Sequence, residues 1–139
     1  MSRSYARECV FKLVFEYVFN GEKDENMLEE FLAEDKNKLE LGYINDVYNG
    51  VMAHYDELIS AIKNVSTGFK VDRIYKVDLA ILLVAVYEMK YVKTIPNKVS
   101  INEALNLSKI YSTEKSSGYI NGIPVSYTHL RAHETRRHL

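Results

Sequence analysis

His129 and His133 stand four residues apart in the run HLRAH, with His138 close behind. On a helix this spacing puts two imidazoles on one face, where they could chelate a metal. The general-base glutamate of an HExxH motif is missing and no third ligand is fixed, so no metal is expected. The single cysteine, Cys9, falls on an apolar helix face and reads as a small core residue rather than a nucleophile. His54 stands alone at the end of a helical run. The six glycines are scattered, so no loop cradles a phosphate, and there is no CxxC. No carboxylate pairs with a histidine in a recognisable motif. The residues therefore offer no catalytic constellation, and neither an enzyme nor a cofactor is expected.

Binding chemistry is better represented. Arg3 and Arg7 fall at the start of the first helical run, where cations oppose the helix dipole at a cost of about a few tenths of a kcal/mol each. Cations in an unfavourable place suggest an external anion, and free backbone N–H groups there add to phosphate attraction. Ordinary surface arginines explain the same residues equally well.

The elements that must position these groups are helical throughout. Apolar residues recur at helical spacing over residues 4–19, 25–33, 41–54 and 57–65, with Asp56 placed to cap the fourth run. A fifth helix covers about 75–91 and is apolar on nearly every face from 79 to 87, which makes it the buried central helix. Those nine residues are too few to span a bilayer. Residues 95–97 form a turn. Ser100 to Glu103 then reads as a capping box opening a sixth helix, and a short seventh follows near 118–122. The expected fold is all-α, about seven helices in two packed subdomains, 1–55 and 56–123. At 47% apolar the chain can build a sizeable core. One cysteine gives no disulfide framework and points to the cytoplasm.

Charge is uneven. Residues 1–63 carry −6, residues 64–123 carry +3 and residues 124–139 carry +2. The acidic excess crowds into 22–35 and reads as a solvated helix face. A net charge of −1 does not mark a free-standing nucleic-acid binder.

Three stretches, ARECVFKLVFEY, VDLAILLVAVYEM and VSINEALNLSKIYSTEKSSGYINGI, occur in this order. Together they resemble the NusB family of bacterial transcription antitermination factors over about residues 1–123. The pairing of INEA with an aromatic-Ile-Asn-Gly motif some sixteen residues later is the specific part. The resemblance implies a two-subdomain helical bundle that binds boxA RNA with the ribosomal protein NusE and joins RNA polymerase and other Nus factors, without catalysis. It implies RNA contacts at Arg3, Ser4, Arg7, Lys115, Gly118 and Tyr119, and protein-partner contacts at Phe15 and Asp78. Tyr119 takes the family's aromatic position, where stacking on an unpaired base is worth roughly 1–3 kcal/mol.

The chain departs from the family in several places. Ser4-Tyr5 interrupts the arginine run. Gly118 stands where a lysine is common. Leu79 and Leu83 replace frequent arginines, so they either enlarge the core or leave an apolar contact surface. The resemblance leaves monomer or homodimer open, and no membrane association is expected. It also admits an alternative, the NusB-like domain of an rRNA cytosine methyltransferase.

Pro124 interrupts the pattern, and three of the four histidines and three of the six arginines follow it. SYTHLRAHET resembles translated adaptor or vector DNA, so residues 124–139 are expected to be a non-native tail.

Overall fold

The apolar run of residues 79–87 forms the centre of the molecule. In the computed structural model, which describes residues 3–34, 38–65, 74–112, 120 and 122–124, every residue from Asp78 to Val86 is buried. The helices are α1 (Arg3–Asn20), α2 (Glu25–Glu34), α3 (Lys38–Ala53), α4 (Tyr55–Val65), α5 (Lys76–Tyr91) and α6 (Asn97–Tyr111). Ile120 and residues 122–124 are helical as well, and no strand occurs among the described residues. The all-α expectation holds.

Helix α5 is wrapped by α1, α6, α4 and α3, while α2 packs on α3 and α1. Along α1, Ala6, Cys9, Val10, Leu13 and Val14 are buried at spacings of three and four, so one face meets α5 and α3. Cys9 is buried, as its helix face implied. Gly21 ends α1 with φ +77°, a left-handed conformation that glycine adopts without steric cost, and its N–H bonds to the Tyr17 carbonyl at 2.7 Å. Asp24 caps α2 by accepting from the Met27 N–H at 2.9 Å. Glu22, Glu25, Glu29 and Glu30 are exposed, consistent with a solvated acidic face.

Three helix starts differ from the sequence reading, α3 beginning at Lys38 rather than near residue 41. Helix α4 begins at Tyr55, so Asp56 lies inside its first turn rather than capping it. Helix α6 begins three residues before Ser100. Pro96 precedes it in extended conformation, and its carbonyl accepts from the N–H groups of Val99 and Ser100. Ser100 is therefore inside the helix and buried, and no capping box forms. A proline with φ near −60° is already suited to a helix start, and that preference outweighs the capping signature.

Leu79 and Leu83 are 8% and 0% exposed, so both enlarge the core. Gly50 on α3 lies against Tyr87 of α5, where a Cβ would overlap the tyrosine ring. Its missing side chain is what lets these two helices approach.

Candidate nucleic-acid interface

The first turns of α1 bring Ser4 and Arg7 to Glu103 of the INEA stretch on α6, and Arg3 to Tyr43 of α3. Arg3 and Ser4 are exposed. The Arg3 guanidinium sits 4.5 Å from the centre of the Tyr43 ring, a cation–π arrangement. Ser4 Oγ donates to Glu103 Oε1 at 3.1 Å. A groove of about 710 Å³ opens next to Arg3, lined also by Tyr43, Asp46, Tyr87 and Tyr91.

Arg7 corrects the picture of two surface arginines. It is 3% exposed, and its Nε donates to both oxygens of Glu88, at 2.8 and 3.1 Å. Val10, Phe11 and Val14 follow it by three, four and seven residues, all buried, so Arg7 belongs to the core face of α1. Glu88 is wholly buried and also accepts from Tyr43 Oη at 2.7 Å and Ser100 Oγ at 3.0 Å. Four helices thus converge on one carboxylate. Burial works against the Arg7 charge, but neighbouring Tyr43 and Glu88 outweigh it and raise its pKa above the ordinary value. Burial, followed by the Glu88 charge, pushes the Tyr43 phenol well up.

The outer side of Arg7 meets a second carboxylate. Its Nη1 lies 3.5 Å from Glu103 Oε2. Glu103, read from sequence as a capping residue, therefore spans Ser4 and Arg7 across the α1–α6 contact.

Asp78 also differs from its expected place. It is 0% exposed, and Ser112 Oγ donates to it at 2.5 Å. The start of α5 lies against the end of α6, which turns this side chain inward. Phe15 is half-buried. Its ring centre lies 6.4 Å from Phe11 and 6.0 Å from Phe19, forming an aromatic strip along α1. The strip reaches the start of α5, where Lys76 Nζ lies 5.0 Å from the Phe19 ring centre and Phe19 is 61% exposed. Tyr111 donates to Glu8, and this bond, with some burial, pushes its phenol up to about 12. Lys115, Gly118 and Tyr119 lie outside the described residues.

Tyr43, Glu88, Ser100 and Glu103 were not read as one site. The available signal was Glu88, a single carboxylate near the end of a helix apolar on all sides. Such a charge demands a buried partner. Among the described residues no three His, Cys, Asp or Glu side chains come together as metal ligands. None of the described helices is long and apolar enough to cross a membrane.

The described residues form an all-α bundle with an exposed arginine and an exposed serine at one helix start. The chain belongs to the NusB family, whose pattern matches residues 4–123. It is 40% identical over 124 residues to the transcription antitermination protein NusB of Finegoldia magna, covering 88% of this chain and 90% of that protein. It is 43% identical over 127 residues to the protein of that name from Natranaerobius thermophilus, covering 88% and 91%. The solved structure of T. maritima NusB superposes with a TM-score of 0.84 at 30% identity, covering 91% of this chain and 90% of that one. A chain from the crystal structure of antitermination factors NusB and NusE in complex with dsRNA shares the fold, with a TM-score of 0.79 at 24% identity over 91% and 97% of the two chains.

Proposed function

We propose that this protein is an RNA-binding transcription antitermination factor. It binds boxA-type RNA of ribosomal RNA operons together with NusE, joins the elongating RNA polymerase with other Nus factors, and catalyses no reaction. The observation that carries this reading is the 40–43% identity to proteins called transcription antitermination protein, across nine-tenths of their own length. That coverage favours it over the methyltransferase alternative.

In this reading Arg3 and Ser4 meet RNA phosphates directly, and Lys115, Gly118 and Tyr119 complete the RNA surface. Arg7 fixes the start of α1 through its Nε bonds to Glu88, and its outer Nη1, on the Glu103 side, faces the RNA. Phe15, continued by Phe19, offers the face for NusE, while buried Asp78 accepts from Ser112 at the end of α6. The site of action is the cytoplasm. Residues 124–139, beyond the family match, are read as a non-native tail.

The reading is tested by transcription in vitro across an rRNA leader followed by a terminator, with RNA polymerase and the other Nus factors supplied. Adding this protein is expected to raise read-through on a template with boxA and not on one with boxA scrambled. Equal read-through on both templates would contradict it.

A further inference from the structure

We propose that the Glu103 carboxylate occupies the position of an RNA phosphate at the start of α1, and that RNA binding displaces it. The inference rests on the RNA-binding reading above and names a residue that sets the affinity of that same site.

Glu103 offers one oxygen to Ser4 Oγ at 3.1 Å and the other to Arg7 Nη1 at 3.5 Å. A hydroxyl and a guanidinium one helical turn apart are the donors that two non-bridging phosphate oxygens would seek. The two carboxylates on Arg7 are not equivalent. Glu88 is fully buried and lies 2.8 Å from Nε. The Glu103 side chain is 21% exposed and its approach to Arg7 exceeds an ordinary hydrogen-bond distance. One guanidinium thus faces two carboxylates, and Glu103 is the one at the rim. Glu103 can swing outward without stranding a buried cation, because Glu88 still neutralises Arg7. Glu103 is also the seventh residue of α6, beyond the turn where a carboxylate gains from the helix dipole. Nothing in the helix itself fixes it there, and its removal costs α6 no cap.

While in place, Glu103 closes Arg7 and Ser4 to an incoming phosphate and repels it. The RNA affinity of the site is then lower than its donors would support.

The test is fluorescence anisotropy with labelled single-stranded boxA RNA and the full chain plus NusE, at 50 to 200 mM salt. The proteins compared are the wild type, Glu103→Gln, Glu103→Ala and a charge control, Glu30→Gln on the exposed face of α2. Both Glu103 variants are expected to bind about three- to tenfold tighter than wild type. Their log affinity should fall more steeply with log salt, by up to about 0.7 in slope for one added phosphate contact. Glu30→Gln should bind like wild type. Wild-type binding with no gain in Glu103→Gln, or an equal gain in Glu30→Gln, overturns the displacement mechanism and leaves RNA binding standing. Absence of binding by all four proteins at 50 mM salt overturns the RNA-binding reading and the displacement with it. Thermal melts accompany each titration, and if Glu103→Ala melts early, the polar Glu103→Gln alone decides.

Discussion

Glu88 gathers donors from α1, α3 and α6 onto a helix that otherwise buries only apolar side chains and Asp78. Removing one member of a buried charge pair leaves the other uncompensated, which costs about 3–5 kcal/mol. Glu88→Ala is expected to lose that much in urea denaturation. Adding Arg7→Met should restore part of it, because the stranded cation is gone, and a double-mutant cycle reads the difference. A loss below about 1 kcal/mol would show that the network contributes little. Glu57 gives a milder, pH-dependent case at the surface. Hydrogen bonds from Lys90 and Tyr91 hold its carboxyl down to about 2, below the ordinary 4.5. A carboxyl with a lowered folded pKa stabilises fully above pH 4.5, and the benefit fades as pH falls toward 2. Glu57 is largely exposed, so solvent screening limits this to under about 1 kcal/mol. Urea midpoints of wild type and Glu57→Gln should differ above pH 4.5 and converge toward pH 2. A difference unchanged across that range would contradict the assignment.

At the scale of elements, helix approach matters more than helix propensity. Gly50→Ala would gain about 1 kcal/mol of helix propensity if α3 stood alone. The added Cβ overlaps the ring of half-buried Tyr87, and overpacking of that kind typically costs about 1–3 kcal/mol. The clash is expected to win, so Gly50→Ala should lower the melting temperature, and a rise would mean that Tyr87 moves aside freely. The helices themselves were legible from sequence because their apolar residues recur at helical spacing, most clearly in α5. The start of α6 was not, since Ser100 and Glu103 match a local capping pattern while their partners lie on other helices. Arg7 was misread for the same reason. It neighbours Arg3 in sequence, yet its spacing to Val10 and Val14 assigns it to the core, and only the fold supplies Glu88. Phe15 and Phe19 are four apart on α1, so their strip could be read from spacing alone.

For the whole molecule, the proposed function assigns two roles to α1. Its first turn presents Ser4 beside α6 and Arg3 beside Tyr43 of α3, and its last turns present the Phe15–Phe19 strip, which reaches the start of α5 at Lys76. In that proposal RNA and the protein partner are held at opposite ends of one helix buried against the core. Ser4-Tyr5 interrupts the arginine run and Gly118 stands where a lysine is common, so affinity for RNA alone should be weak, and the partner should add phosphate contacts and steepen the salt dependence. The most direct test is an anisotropy titration of boxA RNA and a scrambled RNA with this protein, with and without NusE, at 50 and 200 mM salt. The account predicts weak binding alone and, with NusE, tight binding that prefers boxA and weakens with salt. No binding of either RNA at 50 mM salt with NusE present, or equal binding of both, would contradict it.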